Sequence, residues 1–231
     1  MAIADRIQLE GADSASATTA SLDAFRELLA AGRVLSAERQ MGLFGELLVL
    51  EHILNRAPPE AAIACWRGPL GEEHDFDVGE GDVEVKTTTS EGRRHWIGSL
   101  GQLCPSVGRP LWLASIQLTG AGIGGTSLAE LIARIENRLT GNAIEAFNDK
   151  LLVVGWTDQY TRDAARLRRR SAPAIYAVDD AFPAITSREL ERLRLGADKI
   201  VQLTYMLDLS SVSMAEEAPN LIKDIASEES P

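Results

Sequence analysis

The stretch that most constrains the fold is residues 74–88, HDFDVGEGDVEVKTT, where apolar and charged residues alternate on both sides of a glycine-containing turn. Successive side chains of a β-strand point to opposite faces of the sheet. The pattern therefore predicts a β-hairpin whose core face carries Phe76, Val78, Val83 and Val85. Its other face would carry Asp75, Asp77, Glu84 and Lys86.

The charged face of this hairpin suggests a metal site. A two-residue turn at Glu80 and Gly81 would place Asp77 opposite Glu84, with Cβ atoms about 4.5–5.5 Å apart. Carboxylates that close repel each other unless a cation lies between them, and their hard oxygens suit Mg²⁺ or Mn²⁺. Lys86 on the same face could polarise a water molecule, as in metal-assisted phosphodiester hydrolysis. The alternative is that these charges are ordinary exposed surface of an interaction module.

Glu84-Val85-Lys86 resembles the Glu/Asp-x-Lys motif of the PD-(D/E)XK, or restriction-endonuclease-like, nuclease superfamily. The segment GLFGELLVLEHIL at 42–54 is similar to the first helix of that superfamily, and WIGSLGQL at 96–103 is similar to its third core strand running into a helix. Together with WRGPLGEEHDF and IYAVDDAFPAIT, these segments resemble a bacterial branch of the superfamily over roughly residues 40–208. The family's Pro-Asp pair is absent, because His74 precedes Asp75.

The resemblance implies an α/β fold, a restriction-endonuclease-like αβββαβ sandwich with a C-terminal αβ elaboration. It implies a Mg²⁺- or Mn²⁺-dependent DNA endonuclease that acts in bacterial defence or restriction. Lys86 would orient or deprotonate the attacking water, and Glu46 and Gln102 would assist. The metal ligands would be Asp75 and/or Asp77, Glu84 and the Val85 carbonyl. The alternative is a catalytically inactive DNA-binding or scaffold subunit of a defence complex.

The chain divides into four predicted parts: an N-terminal segment and helix (1–35), a nuclease-like core (36–120), a C-terminal αβ elaboration (121–209) and an acidic tail (210–231). Ser36 is predicted to cap a helix that stops before Pro58. Gly42 and Gly45 on that helix indicate close approach to a neighbouring element. The elements predicted before residue 120 are a strand or extended segment over 61–66, a third strand over 94–97, a helix from Ser99 or Gly101 and a strand over 111–118. Those predicted after it are helices over 128–139 and 187–195 and strands over 151–156, 174–178 and 200–207.

The formal net charge of the chain, −11, opposes binding to the phosphates of nucleic acid, so any such binding would depend on local basic patches. One candidate is the arginine-rich segment 162–170, which on a helix would place several arginines on one side. The alternative is a solvated face. The predicted DNA-contacting residues are Arg93, Arg94, Arg166, Arg169 and Arg170. A homodimer or other subunits of a defence system are the expected protein partners.

The sequence predicts a cytoplasmic protein. No apolar run reaches the roughly 18–20 residues needed to span a membrane, and the N-terminus lacks a basic and then apolar signal pattern. The two cysteines, Cys65 and Cys104, are expected to be reduced thiols. Trp66 is expected to be a core residue.

Overall fold

The computed structural model describes residues 35–157, 165–192, 199–200 and 202–227. The predicted N-terminal helix and Arg162 lie outside these ranges. The helices are α1 (Ala37–Ile53), α2 (Pro59–Cys65), α3 (Leu128–Glu136), α4 (Gly141–Val154) and α5 (Ser187–Arg192), with 3₁₀ turns at Gly68–Leu70, Gly122–Gly124 and Ile225–Ser227. The strands are β1 (Phe76–Asp77), β2 (Asp82–Thr88), β3 (Arg94–Ile97), β4 (Leu111–Gly120), β5 (Leu167–Arg169), β6 (Ala174–Ala177) and β7 (Tyr205–Asp208).

The main sheet is mixed and is centred on β4. Strand β2 runs parallel to β4 along one edge, and β1 pairs antiparallel with β2 to complete the predicted hairpin. On the other edge of β4, β6 and β5 pair antiparallel with its first and last parts. This is a mixed α/β architecture with a curled sheet, which is compatible with a restriction-endonuclease-like fold and confirms the predicted fold class.

Apolar clusters lie on both faces of the sheet. Helices α1 and α3 pack on the face that carries Val83, Val85 and Ala114. The opposite face carries Leu113, which packs with residues of β3 and β7, including Ile97 and Leu207. The alternation of Leu113 and Ala114 between the two clusters is what a sheet covered on both sides requires.

Helix α1 begins where the sequence predicts. The Ser36 hydroxyl accepts a hydrogen bond from the Arg39 amide at 3.2 Å and so caps the first turn. Gly45 is in close contact with β2, because a Cβ built on it would lie 1.9 Å from Thr87 Oγ1. Gly42 has no neighbour within 4 Å of such a Cβ. The prediction of close approach is confirmed for Gly45 and wrong for Gly42.

Several local predictions are wrong for reasons that the structure makes plain. Residues 59–65 form helix α2, not a strand, because Pro59 occupies the first turn of a helix, where its missing N–H costs nothing. Residues 151–154 continue helix α4, which ends at Gly155 with φ 91°, although their β-branched composition resembles a strand. The helix predicted from Ser99 or Gly101 is replaced by turns, and β3 pairs with β7 in a separate two-stranded sheet.

Part of the predicted acidic tail packs on the first apolar cluster. Ile222 and Ile225 are buried there, and the Lys223 carbonyl lies 3.0 Å from Nε2 of the buried His52. Among the described residues, no helix is both long enough and apolar enough to cross a membrane.

Candidate active site

The register of the β1–β2 hairpin decides which acidic side chains face each other. Phe76 pairs with Val83, and Asp77 pairs with Asp82. Continuing this register by one step places Asp75, not Asp77, opposite Glu84. The predicted register is therefore wrong, although Phe76, Val78, Val83 and Val85 are all buried as predicted.

The turn explains the different register. Four residues, 78–81, connect the paired positions, and the Val78 amide donates to the Gly81 carbonyl at 3.0 Å. Asp77 Oδ1 accepts a hydrogen bond from the Gly79 amide at 2.9 Å, and Gly79 adopts a left-handed φ of 79°. The hydrogen bond between Val78 and Gly81 centres the turn on Gly79 and Glu80, one residue earlier than the turn expected at Glu80 and Gly81, and this shift changes the register of the whole hairpin.

Three carboxylates from separate parts of the chain gather beside Lys86. Glu84 is buried, whereas Asp75 and Glu46 on α1 are half-buried. Lys86 Nζ lies 2.7 Å from Glu84 Oε1. Asp75 and Glu46 are therefore partly accessible to solvent, whereas Glu84 is not.

Each carboxylate is held by one of its two oxygens. The Val85 amide donates to Asp75 Oδ2 at 2.7 Å, and the Trp66 indole donates to Glu46 Oε2 at 2.7 Å. For the second oxygens, Asp75 Oδ1, Glu46 Oε1 and Glu84 Oε2, the described part of the chain supplies no hydrogen-bond donor. These oxygens are free to bind a cation or water.

The pKa values of all three carboxylates are raised. Burial raises the pKa of Glu84 to about 8, and the nearby charge of Asp75 adds to this effect while Lys86 opposes it. Burial and the charge of Asp75 raise the pKa of Glu46 well above its usual range. Burial also raises the pKa of Asp75, against the hydrogen bond from Val85. Buried carboxylates that repel one another and perturb each other's pKa are typical of catalytic and metal-binding sites.

Gly68 keeps the space between two of these carboxylates open. A Cβ at this position would lie 2.8 Å from Glu46 Oε2 and 2.9 Å from Asp75 Oδ1. The 3₁₀ turn that carries Gly68 is anchored to Asp75, whose carbonyl accepts from the amides of Arg67 at 2.7 Å and Gly68 at 3.0 Å. The site therefore has a cradle lined by carboxylate oxygens, which is the donor chemistry that hard divalent cations prefer.

The protein-side ligand set is incomplete without backbone atoms or water. Among the described residues, no group of three or more His, Cys, Asp or Glu side chains is arranged to hold one metal ion. Two carboxylates, a backbone carbonyl and water molecules are nevertheless a usual set for Mg²⁺, which keeps several of its waters. The residues present fit that ion in chemistry.

A family profile described as "Putative PD-(D/E)XK family member, (DUF4420)" matches residues 2–210. The chain belongs to this family. Searches of the curated proteins and of the solved structures each gave no significant match. Family membership points to nuclease chemistry and to nucleic acid as the substrate, and PD-(D/E)XK nucleases typically use divalent metals.

Asp77 does not join the cluster of Asp75, Glu84 and Glu46. Its Oδ1 lies 2.8 Å from Nη2 of Arg109, which also contacts Asp82 at 2.7 Å. The hydrogen bond from Gly79 and the contact with Arg109 lower the pKa of Asp77. Of the two aspartates that the sequence left eligible, the structure brings Asp75 to Glu84.

Gln102 is engaged locally. Its side-chain Oε1 accepts a hydrogen bond from the Gly98 amide at 2.9 Å, within the turns that replace the predicted helix. Val85 contributes its amide to Asp75, and its carbonyl stays a predicted ligand.

The predicted DNA-contacting arginines do not form one helical face, because residues 167–169 are strand β5. The Arg93 guanidinium donates to Ser115, Ser171 and the Ala172 carbonyl, and so links β4 to the loop before β6. Arg94 pairs with Asp208 on the exposed face of β3. Arg166 pairs with Glu130 at 2.9 Å.

The last two of these arginines lie along β4. Arg170 donates to Thr119 Oγ1 at 3.3 Å, and Arg169 is in register with Leu118. The contacts of Arg93, Arg94, Arg166 and Arg170 give each of them a structural partner. A role in DNA binding stays a prediction for all five.

Sequence reasoning missed the residues that position Glu46. Trp66 is fully buried, as expected of a core residue, but its indole N–H also holds the Glu46 carboxylate. Lys150 of α4 donates to the carbonyls of Ile63, at 2.6 Å, and of Trp66. The signal for Trp66 was present in principle, because a buried indole N–H requires an acceptor.

His95 lies beside the predicted catalytic lysine. Lys86 and Ser115 are paired across β2 and β4 and so share a face, and His95 Nε2 lies 2.7 Å from Ser115 Oγ. Burial and the positive charges of Lys86 and Arg93 lower the pKa of His95 to about 4. His95 is therefore a neutral hydrogen-bonding group at pH 7.

Proposed function

We propose that the protein is a Mg²⁺-dependent DNA endonuclease that hydrolyses phosphodiester bonds, with bacterial defence or restriction as its setting. The observation that carries the proposal is the cluster of Asp75, Glu84 and Glu46, whose pKa values stay raised despite the hydrogen bonds from Val85 and Trp66 and the nearby charge of Lys86. Membership of the PD-(D/E)XK family supports it, because the cluster includes the family's Glu-x-Lys motif. Mn²⁺ would substitute for Mg²⁺.

Asp75 and Glu84, with the Val85 carbonyl, would hold the cation. Glu46 faces the same cradle across Gly68 and would bind either the cation or one of its waters. The cation would supply Lewis-acid polarisation of a phosphoryl oxygen and would lower the pKa of a bound water. Asp77 is not proposed as a ligand, because Arg109 and Gly79 engage its carboxylate.

Lys86 would position the attacking water and offset negative charge on the phosphate. Its ammonium lies 2.7 Å from Glu84 and is largely enclosed, with 14% of the side chain exposed. A cation on Glu84 would compete with this ion pair and free the ammonium to face the phosphate. An enclosed charge acts more strongly than one in open solvent, because less water screens it.

Plasmid and linear DNA cleavage in Mg²⁺ or Mn²⁺ tests the proposal. We expect metal-dependent cleavage that Lys86→Ala abolishes and that the matched control Lys223→Ala, at an exposed lysine, leaves intact. Mn²⁺ should also raise the thermal stability of the wild type, and Glu84→Ala should remove that effect.

The second candidate function is a non-catalytic DNA-binding or scaffold subunit of a defence complex. The net charge of −11 favours it, because the chain as a whole repels a phosphate backbone. The absence of both cleavage and Mn²⁺ stabilisation would refute the nuclease and leave the scaffold. Stabilisation by Mn²⁺ without cleavage would show an intact metal site that needs a partner or a modified DNA.

A further inference from the structure

The sheet face that carries Glu84 and Lys86 continues across two further strands. Residues paired across neighbouring strands point to the same face, and Lys86 is in register with Ser115 of β4. Alternation along β4 brings Thr119 to that face as well, and Thr119 is in register with Arg168 of β5. Arg168 therefore projects from the same face of the sheet as Lys86.

The arginines of β5 are sorted by the strand and not by a helix. Arg169 is in register with Leu118, which is buried in the first apolar cluster, so Arg169 lies on the opposite face of the sheet. Arg170 donates to Thr119 Oγ1 at 3.3 Å and therefore shares the face of Arg168. Both Arg168 and Arg170 are exposed, and alternate residues of a strand are about 7 Å apart. Two neighbouring guanidinium groups are thus presented on one face.

These two guanidinium groups are not neutralised by carboxylates. Elsewhere in this acidic chain, Arg134 is ion-paired with a glutamate at 2.5 Å and Arg166 with another at 2.9 Å. Within the described ranges, neither Arg168 nor Arg170 forms an ion pair, and strands β4 and β5 contain no acidic residue. Exposed cations that stay unpaired in a chain with a net charge of −11 indicate a surface for an anionic partner.

Arg93 connects this pair of arginines to the surroundings of Lys86. Its guanidinium donates to Ser115 Oγ and to Ser171 Oγ, at 3.0 Å in each case. Ser115 is in register with Lys86, and Ser171 directly follows the arginine pair. These acceptors are neutral, so they leave the positive charge of Arg93 in place. Glu91 is the one acidic residue of the connection between β2 and β3, and the surface therefore keeps a positive balance.

The length of this basic surface matches a short stretch of nucleic acid. Ser115 and Thr119 are four residues apart on β4, which is about 13 Å, and β2 and β5 flank β4 at about 10 Å from each other. Lys86 and Arg168 are therefore separated by on the order of 16 Å, or about five steps of a nucleic-acid strand. One backbone would reach from the carboxylate cluster to the arginines.

We infer that Arg93, Arg168 and Arg170 form a phosphate-contacting track, which holds the backbone of the nucleic-acid substrate on this face of the sheet and leads to the carboxylate cluster. The choice of a nucleic acid over another polyanion rests on the proposed function. Guanidinium groups bind phosphate oxygens through charge-assisted hydrogen bonds. Phosphate contacts position a strand and read no bases, so the track would set where the strand lies and not which sequence is cut.

Binding of a fluorescently labelled DNA duplex in EDTA tests the inference without any cleavage. The association constant is measured by fluorescence anisotropy between about 50 and 200 mM salt, where each phosphate contact contributes about 0.9 to the slope of log K against log salt concentration. We expect Arg168→Gln and Arg170→Gln each to lower the magnitude of that slope by about one. Each should weaken binding to the same degree for duplexes of unrelated sequence.

Two further variants separate a phosphate contact from a structural role and from a general effect of charge. Arg168→Lys keeps the positive charge and should keep the slope. Arg39→Gln is the matched control, because it removes the same charge from an exposed arginine at the start of α1, which packs on the opposite face of the sheet, and it should leave the slope unchanged. Arg168 forms no side-chain hydrogen bond or ion pair with a described residue, so Arg168→Gln should not change the thermal stability.

The outcomes separate this inference from the proposed function. Unchanged slopes in both Arg168→Gln and Arg170→Gln would overturn the track, even where the wild type cleaves DNA in Mg²⁺. Lowered slopes in these variants, without cleavage by the wild type in metal, would support the track and refute the nuclease. A slope lowered as much by Arg39→Gln as by Arg168→Gln would overturn the track in favour of a general effect of charge. No binding at any salt concentration would also overturn it and would leave the unpaired arginines to an acidic protein partner.

Discussion

The replacement Gly68→Ala tests whether Glu46 and Asp75 act together. The added Cβ would lie 2.8 Å from Glu46 Oε2 and 2.9 Å from Asp75 Oδ1, which are distances that real Cβ contacts do not reach. Both side chains are restrained, because Glu46 is bound by Trp66 and Asp75 is bound by Val85. At least one carboxylate must therefore leave its hydrogen bond or move outward by several tenths of an ångström.

The expected magnitudes differ for stability and for catalysis. Disturbing a hydrogen bond to a charged group costs about 1.5–3 kcal/mol, and replacing Gly by Ala recovers about 0.4–1 kcal/mol through the unfolded state. We therefore expect Gly68→Ala to lower the free energy of unfolding by roughly 1–2 kcal/mol, measured by urea denaturation. Misplacement of a catalytic group by about 1 Å can cost about 100-fold in rate, so cleavage and Mn²⁺ affinity should fall by roughly 10- to 100-fold.

Gly42→Ala is the matched control on helix α1. A Cβ at Gly42 meets nothing within 4 Å, so we expect a gain of about 1 kcal/mol in stability and no change in cleavage. The reasoning also predicts non-additivity. Glu46→Ala should cost less activity in the Gly68→Ala background than in the wild type, because Gly68→Ala already displaces the Glu46 carboxylate. Cleavage by Gly68→Ala within twofold of the wild type, with unchanged Mn²⁺ affinity, would refute a shared site for these carboxylates.

Three further changes test separate parts of the same structure. Trp66→Phe keeps a ring in the core but removes the donor that lowers the pKa of Glu46. We therefore expect weaker Mn²⁺ binding and a cleavage optimum at higher pH. An unchanged pH–rate profile would argue against a role of Trp66 in setting the pKa of Glu46. In EDTA, the wild type should lose stability, on the order of a few kcal/mol, as pH rises from about 4.5 to about 8. Glu84→Gln should not show this loss. The sign follows because the unfolded Glu84 releases its proton first, and equal urea midpoints of wild type and variant at pH 5 and pH 8 would contradict it. Gly45→Ala should destabilise the fold by about 2 kcal/mol or more, since its Cβ would overlap Thr87 Oγ1, and a neutral urea midpoint would contradict the close packing of α1 on β2.

The sequence predicted the faces of the hairpin better than its register. Alternation alone assigns Phe76 and Val83 to the core, because the period of a strand is fixed. The register depends on where the turn is centred, and the hydrogen bond from the Gly79 amide to the Asp77 side chain accompanies a turn at Gly79 and Glu80 instead of the expected one at Glu80 and Gly81. No periodicity encodes that choice.

Short apolar segments were harder to assign than the hairpin. Residues 151–154 have the composition of a strand but form the last turn of the helix that begins at Gly141. The β-branched residues are tolerated at the end of that helix. The partner of β3 was also beyond local pattern, because β7 lies more than a hundred residues away and fixes the pairing through contacts such as Ile97 with Tyr205.

The position of Glu46 beside Asp75 and Glu84 was predictable only by resemblance. On the helix alone, Glu46 is one polar residue among apolar neighbours, with nothing to distinguish it from a solvated glutamate. Its position is set by Trp66, which reaches it from 20 residues away. Gly68 is a similar case, because its role lies in the space that it leaves and not in any group that it contributes.

One hairpin face carries two acidic pairs that the fold treats in opposite ways. Asp77 and Asp82 share the guanidinium of Arg109, and the pKa of Asp77 is lowered, as expected of acids that contribute to stability. Asp75 and Glu84, two residues farther along the hairpin, are more enclosed and have raised pKa values. Buried like charges oppose folding, and natural proteins keep such conflicts mainly where function uses them.

The ion pair between Arg109 and Asp77 shows that this surface can hold an arginine that neutralises a carboxylate. Among the described residues, Glu84 has Lys86 as its ion-pair partner and Asp75 has none, which is consistent with a role that needs unneutralised carboxylate oxygens. A divalent cation would reverse the repulsion that raises both pKa values, and its binding would therefore release protons near neutral pH. Proton release on adding Mn²⁺ to the wild type at pH 7, and its loss in Glu84→Gln, would connect the buried carboxylate charges to the proposed chemistry. Metal binding without proton release would show that these carboxylates are already ionised and would refute the argument.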